Sequence, residues 1–565
     1  VSKVLAQLES IKFHLQYVGQ LDSTLNQSLY QHVDMGMVEM MLEQAARFSD
    51  EFLLELAERG DRVGCSLDKG GVTLPAGTDQ AYQAWCELGF PALSLSESQG
   101  GLGVPLTVQL AVQELIDGAN LAFGMLCINQ RCATKALLGA VSQEPVEQWL
   151  AGLADGSLAA TIAISEPQAG SDVGRIATRA TSSPEGGWTL NGSKIWISYG
   201  DHDATDNILH LVLARTAGGG TRGLSLFAVP KRLDDEDNGV SVLRLEEKMG
   251  LHASPTCVLA LENTRGYLIG EEGRGLVNLF PMMNAMRQAV ATQGAAVANA
   301  ATLQALDYAG TRPQGGRADA PARPIIEHAD VSRMLLEMTA KSELLRALSL
   351  RTASYEDRAA CCEDDDADNA RDWQQLAGLL LPVAKTLSAE WGFEVANQGI
   401  QVLGGYGYTS DYPMERMARD VRVGSIYEGT SGIQALDFAH RKLLGDQLGA
   451  MQRLLALIEA DLAGSQADNP LRAPLEQILS IYREVLRCIQ QPDWLAGGGA
   501  YPLLRLSGVL LCCWNGVTLY QAAHDDSEYQ RRVRQAMDLF SVGLAAEAES
   551  WAAKVSLKRY SLSAQ

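Results

Sequence analysis

Residues Gly187–Ser198 read GWTLNGSKIWIS, two short apolar and β-branched runs joined at Asn191-Gly192. An Asn-Gly pair flanked in this way is a hairpin signal, because both central positions of a type I′ turn need positive φ. The stretch is one of a series: LAATIAIS (158–165), NILHLVLART (207–216), GLSLFAVP (223–230), VSVLRL (240–245) and PTCVLALEN (255–263). These strand candidates follow one another without helical segments between them. That order predicts an antiparallel barrel or sandwich rather than a parallel nucleotide-binding sheet.

On either side the apolar spacing becomes helical. It does so in VEMMLEQAARFSDEFLLELAERGD (38–61) and PLTVQLAVQELIDGANLAFGMLCI (105–128) upstream. Downstream it returns at about Gly275 and persists through ADVSRMLLEMTAKSELLRALSLRTA (329–353) and QQLAGLLLPVAKTLSAEWGFEVANQGIQVLGG (374–405). A further helical array begins near LLGDQLGAMQRLLALIEADLAG (443–464) and runs to about Lys558, with QPDWLAGGGAYP (491–502) as its turn-rich break. The expected fold class is α+β, in four parts: a helical domain over 1–157, a β-barrel over 158–274, a helical bundle over 275–444 and an additional helical domain over 445–565.

Composition narrows the function. The chain has 565 residues, 47% of them hydrophobic and 20% charged, enough for several packed cores. Its net charge of −22 disfavours nucleic acid and anionic lipid surfaces. The densest acidic run, CCEDDDADNARD at Cys361–Asp372, predicts a solvated, disordered loop. Ten scattered cysteines without C-x-x-C read as free thiols of a reducing compartment. The first residues, VSKVLAQLESIKFHLQYVG, lack the pattern of a secretory signal, and the apolar run Leu506–Trp514 is short for a membrane span, so a buried helix and a cytoplasmic protein are expected.

Several chemistries lack their signatures. There is no P-loop and no G-x-S-x-G elbow, and Gly405-Tyr406-Gly407 has neither the third glycine nor the preceding strand of a dinucleotide fingerprint. Asp201, His202 and Asp203 read as a polar loop ahead of a metal ligand set, because adjacent residues point apart. Three stretches stand out. ISEPQAGSDVG (164–174) ends a strand with hydroxyls and successive N–H groups suited to phosphate oxygens. Trp196 in KIWIS reads first as a core residue, second as a ring that stacks on a planar ligand. In IYEGTSGIQ (426–434) a single acid, Glu428, lies between an aromatic residue and a glycine; alone it reads as a turn or helix-start acid ahead of a catalytic base.

Taken together, EPQAGSDVG, NGSKIWIS, QVLGGYGY and IYEGTSGIQ, in that order, resemble the acyl-CoA dehydrogenase family over roughly Glu51–Leu444. The phrases GDHDATDNILHLVLART, EEKMGLHASPTCVL, MMNAMRQAV and YEGTSGIQALDFAHRKLL, with the helical tail, resemble its larger bacterial subgroup, which includes enzymes acting on fatty acyl-CoAs and on 3-methylmercaptopropionyl-CoA.

The resemblance implies an FAD-dependent oxidation of a saturated acyl-CoA to a trans-2-enoyl-CoA, medium to long chains favoured. Glu428 is then the base that removes the α proton, its own N–H helping to hold the thioester oxygen, and burial beside Tyr427 should raise its pKa toward the working pH. Ala285 and Met286 stand where some relatives carry the base, and cannot accept a proton. The flavin is expected against Ile162, Ile164, Ser165, Ser171, Trp196, Ile197, Ser198 and Thr430. Arg312, Gln401, Gly404 and Gly405 are expected to reach the FAD of a neighbouring subunit, which implies a homo-oligomer, a dimer in this reading. Ser171, Asn284, Arg287, Tyr427 and Gly429 are expected to meet substrate, with a surface salt bridge as the alternative for Arg287. An electron-transfer flavoprotein is the expected acceptor, and no metal is implied. Rival readings are a 3-methylmercaptopropionyl-CoA dehydrogenase, an acyl-CoA oxidase and a silent flavin-binding scaffold.

Overall fold

A computed structural model describes residues 4–138, 144–182, 187–362, 366–491, 494 and 496–557. It comprises two compact units. One is built from Gln44–Val104 and Ala119–Ala289, the other from Val1–Glu43, Pro105–Gly118 and Val290–Gln565.

The first unit carries a seven-stranded sheet: β1 (Leu158–Ala163), β2 (Arg179–Ser182), β3 (Trp188–Ser198), β4 (Asn207–Arg215), β5 (Leu224–Pro230), β6 (Val240–Leu245) and β7 (Thr256–Ile269). The ladder β7–β3–β2–β4 is closed by β5, which pairs with both β4 and β7, so the sheet joins into a barrel with β6 and β1 as flanking strands. Closure removes most unpaired edges. Each segment expected to be extended lies in a strand, though 188–198 is one strand and not two, and β2 is an addition to this sheet. The antiparallel expectation is corrected at two pairings: β1 runs parallel to β4, Leu158 opposite Asn207 through Ala163 opposite Val212, and β2 meets β4 in parallel with Arg179 opposite Arg215.

The hairpin expected at Asn191-Gly192 does not form. Both residues lie inside β3, with Asn191 opposite Arg179 of β2 and Gly192 opposite Leu261 of β7. The glycine is there for close approach, since a Cβ at 192 would fall 2.4 Å from the Thr178 hydroxyl oxygen. The barrel interior is lined by Leu190, Ile197, Val212, Phe227, Leu259 and Leu261, all buried.

In the second unit, long helices bring the site residues together. They are α1 (Gly275–Thr311, whose part from Val290 belongs here), α2 (Ala329–Ala360), α3 (Ala367–Leu403), α4 (Ser431–Leu436) and α5 (Ala496–Ala522). The α1 and α3 backbones meet at glycines. A Cβ on Gly294 would lie 2.1 Å from the Ser388 carbonyl oxygen, and one on Gly392 would lie 2.8 Å from the Gly294 oxygen. Small residues at such a crossing let two helices approach closely, and the Ala-rich face of α1 serves the same packing. Helix α3 stops where Gly404 takes φ +62°, a conformation glycine adopts without penalty.

Two loop expectations are corrected. The acidic run becomes helical from Ala367, where α3 begins, while its centre, 363–365, lies outside the described residues. The break near Gln491 ends by Ala496, because the Ala-Gly-rich stretch starts α5. Among the described residues one helix, Gly498–Ala522, is long and apolar enough to cross a membrane by length and composition, but 89% of its apolar window is buried inside the protein. None of the ten cysteines, all among the described residues, forms a disulfide.

Candidate active site

The site residues fall into three groups, one on the barrel unit and two on the helical unit. In the barrel unit the loop after β1 is anchored to β3. Ile195 N–H donates to the Ser165 oxygen at 2.9 Å, and the Lys194 ammonium donates to the carbonyls of Ile164 (2.9 Å) and Leu213 (2.7 Å). Lys194 also pairs with Glu166 at 2.8 Å, both fully or nearly fully buried. Glu166 in turn accepts from the N–H groups of Ala177 (2.7 Å) and Thr178 (3.0 Å) and from the Gln168 amide (2.7 Å), so one carboxylate ties down both ends of the 165–178 loop.

Burial alone would raise the Glu166 pKa, but the charge of Lys194 and the hydrogen bonds outweigh it and hold the group at about 2. Burial pushes the Lys194 ammonium down to about 8 against the attraction of Glu166. The pair is charged at neutral pH. Neither residue was singled out from sequence; the available signal was an ionisable residue inside each of two apolar strand ends.

Trp196 is not a core residue. The register of β7 against β3 passes from Cys257 opposite Ile197 to Leu259 opposite Lys194, two residues against three, so β3 bulges here. Trp196 takes φ +60°, and its indole is 59% exposed while Ile195 and Ile197 on either side are buried. A large planar ring left uncovered beside the loop of Ser165 and Ser171 suits a stacked aromatic ligand. Ile162, Ile164 and Ser198 are half-buried and Ser171 is exposed, and the Ser198 carbonyl is held by the Asn129 amide at 3.2 Å. On α1, Arg287 is buried rather than at the surface. Its guanidinium lies 3.5 Å from the Asn284 amide oxygen, and Asn284 is exposed. Ala285 and Met286 add no acid to this turn.

In the helical unit Glu428 lies half-buried on the bend before α4, at φ +52°. A non-glycine residue in this region costs roughly 1–2 kcal/mol, so something must hold it. Three successive carbonyls are gripped. The buried Lys385 ammonium donates to Tyr427 O (2.9 Å) and Gly429 O (2.6 Å), and the Gln434 amide donates to Glu428 O (3.0 Å). Two charge-assisted bonds of about 1.5–3 kcal/mol each, with one neutral bond of about 1, suffice to impose the strained turn.

All peptides here are trans, so the Glu428 N–H points to the side opposite Lys385. The Tyr427 hydroxyl donates to Gln293, one residue before the Gly294 crossing; burial, then the nearby charge of Glu428, raises its pKa well above the ordinary phenol value. Gly429, at φ +84°, has no room for a side chain, because a Cβ would meet the Gln434 amide nitrogen at 2.8 Å. Thr430 is engaged as the helix N-cap, accepting from Ile433 N–H at 3.3 Å. Lys385 and Gln434 were missed in the sequence; a lone lysine in the apolar helical run LLLPVAKTL was the signal.

The third cluster, also in the helical unit, is exposed. Gln401, Gly404 and Gly405 follow one another at the end of α3, and the Arg312 guanidinium lies 5.8 Å from the ring centre of the next residue, Tyr406. A side chain on Gly404 or Gly405 would meet nothing within 4 Å.

Comparison with known proteins places this arrangement. The acyl-CoA dehydrogenase N-terminal, middle and C-terminal domains match residues 37–157, 161–264 and 273–443. The chain is 35% identical over 528 residues to the 3-methylmercaptopropionyl-CoA dehydrogenase of Ruegeria pomeroyi, covering 90% of this chain and 89% of that protein. It is 35% identical over 479 residues to the broad-specificity linear acyl-CoA dehydrogenase FadE5 of Mycobacterium tuberculosis, covering 81% and 78%. In fold it matches an acyl-CoA dehydrogenase complexed with FAD from Bacillus anthracis, with a TM-score of 0.77 and 22% identity over 93% of this chain and 89% of that one. The chain belongs to the acyl-CoA dehydrogenase family, oxidoreductases that act on a CH–CH bond.

Proposed function

We propose that the chain catalyses the α,β-dehydrogenation of a saturated, linear acyl-CoA of medium to long chain, with Glu428 as the base. The observation that carries this is the grip on three consecutive carbonyls, which holds a single carboxylate in a strained turn with its own N–H on the side away from Lys385. A turn acid without a task needs no such support.

The cofactor is FAD. The uncovered Trp196 and the pinned 165–178 loop fit its ring and phosphate oxygens, with Ile162, Ile164, Ser165, Ser171, Ile197 and Ser198 on the same unit; Thr430 is carried over as a flavin contact from the family resemblance. When bound, the flavin supplies the two-electron acceptor for hydride from the β carbon. Glu428 takes the proton from the carbon next to the thioester carbonyl, and its N–H is the protein's donor to the oxygen where charge develops. Tyr427 and Gly429 shape the turn at that carbon, while Asn284 and Arg287 serve the CoA arm. Arg312, Gln401, Gly404 and Gly405, exposed together, reach the FAD of a second copy in a homodimer. Electrons leave to an electron-transfer flavoprotein, and ten free thiols suit a cytoplasmic setting.

A 3-methylmercaptopropionyl-CoA substrate is the second reading, favoured by a relative that covers 90% of this chain. Anaerobic mixing of the flavin-loaded protein with a chain-length series that includes this thioether tests both. Bleaching is expected with linear acyl-CoAs and absent in Glu428→Gln, which retains flavin. Rapid peroxide formation on admitting air would identify an oxidase instead, and no bleaching with any acyl-CoA would overturn the proposal.

A further inference from the structure

The helical region beyond Lys442 reaches the segment that carries Glu428 through one carboxylate. Glu390 lies on α3, five residues after Lys385, and is largely buried. Its Oε1 accepts from the hydroxyl of Ser431 at 2.9 Å, and Ser431 is the first residue of α4, three positions after Glu428. On its other side Glu390 is held by two residues of α5. The Tyr501 hydroxyl contacts Oε1 and Oε2 at 3.0 and 2.9 Å, and the Arg505 guanidinium donates to Oε2 at 2.7 Å and to the Tyr501 hydroxyl at 3.3 Å.

The α5 pair is itself fixed. The Arg505 guanidinium lies 5.0 Å from the Trp551 ring centre, and the Tyr501 ring meets the same indole edge-on at 6.2 Å. Helix α5 packs closely on α3, where a Cβ on Gly508 would lie 2.7 Å from Leu387.

From these contacts we infer that Glu390, Tyr501 and Arg505 are positioning residues for the base: the C-terminal helical region braces α4, and through it the Glu428 turn. The inference rests on the reading of Glu428 as the base. Its logic is mechanical. Gln434 of α4 donates to the Glu428 carbonyl, so any tilt of this six-residue helix moves the turn. Lys385 holds the turn through the carbonyls on both sides of Glu428, and Ser431–Glu390 holds the helix start. Without Arg505 and Tyr501 the Glu390 carboxylate has lost its charged partner and is free to rotate off Ser431. A region that takes no part in the chemistry would then set the precision of the catalytic carboxylate.

The test compares full-length, flavin-loaded wild type with Tyr501→Phe, Arg505→Met and Arg505→Lys, by hydrogen exchange of the 426–434 amides and by the pH profile of kcat. With the brace lost, exchange in 426–434 should speed up about tenfold while α3 and α5 stay at the wild-type level. The rise of kcat with pH should shift, and Arg505→Lys should recover part of both effects. Unchanged exchange in 426–434, or acceleration spread equally over α3 and α5, would overturn the inference. Glu428→Gln is run alongside. If it turns over like wild type, the base assignment fails, while the exchange readout still decides whether the brace exists.

Discussion

The Lys385 ammonium donates to the carbonyl oxygens of Tyr427 and Gly429, at 2.9 and 2.6 Å, and so brackets Glu428 from beneath. Lys385→Met keeps the apolar stem and removes both bonds. We expect kcat to fall about 10–100-fold with flavin content unchanged, because a turn released by a fraction of an ångström misplaces the base. Stopped-flow bleaching against acyl-CoA concentration checks this; a rise in KM at constant kcat would contradict it.

Glu428, the proposed base, sits at a φ that favours other residues. Asparagine tolerates the left-handed region better than glutamate does, so Glu428→Asn should unfold at the same or a higher denaturant concentration, by up to about 1 kcal/mol. Dehydrogenation should drop about 10²–10⁴-fold, the usual contribution of a general base. Parallel denaturation and turnover assays decide, and a variant that is both active and destabilised would refute the assignment.

The α1–α3 crossing is predicted to be intolerant of one methyl group. Gly294→Ala places a Cβ 2.1 Å from the Ser388 carbonyl oxygen, so the helices must part, at a cost of about 1–3 kcal/mol. Gln293, the acceptor for Tyr427, moves with them, and activity falls too. Gly310→Ala on the same helix meets nothing within 4 Å and should be neutral or stabilising by about 0.5–1 kcal/mol. Chemical denaturation of the two variants side by side measures the contrast.

The Glu166–Lys194 pair predicts a pH dependence. Glu166 is held at about 2 when folded, against an ordinary 4.5, so the folded chain binds that proton less readily than the unfolded chain. The resulting stabilisation, about 3 kcal/mol, is whole above about pH 4.5 and is lost as pH falls toward 2. Lys194, pushed down to about 8, stays charged throughout this acid range. The stability difference between wild type and Glu166→Gln/Lys194→Met should therefore be constant from pH 7 to 5 and shrink in favour of the double variant below that. The single Glu166→Gln, which strands a buried ammonium, should cost about 3–5 kcal/mol at pH 7.

Much of the architecture could be read directly, because burial imposes periodicity. Strand candidates in series without helices, then long helical spacing, led to a barrel followed by a bundle, and four ordered motifs led to the family and to Glu428. What failed were local signals overruled by packing. Asn191-Gly192 has the composition of a turn, yet Thr178 approaching the backbone made the glycine a place of contact inside β3. The acidic run after Cys362 looked unable to order, but helix α3 extends into it from Ala367. Trp196 was first read as core, and a bulge in the pairing of β3 with β7 turned it outward.

Side-chain chemistry and order along the chain thus carried the succession of strands and helices, the family resemblance and the proposal of Glu428 as base. Contacts distant in sequence settled how the Glu428 turn is held: Lys385 under Glu428, Gln293 against Tyr427, Glu390 between Ser431 and Arg505. Such partners leave no local trace. A hydrogen bond across dozens of residues depends on where two helices cross, and that crossing depends on a glycine meeting a carbonyl, which no stretch of either helix specifies alone.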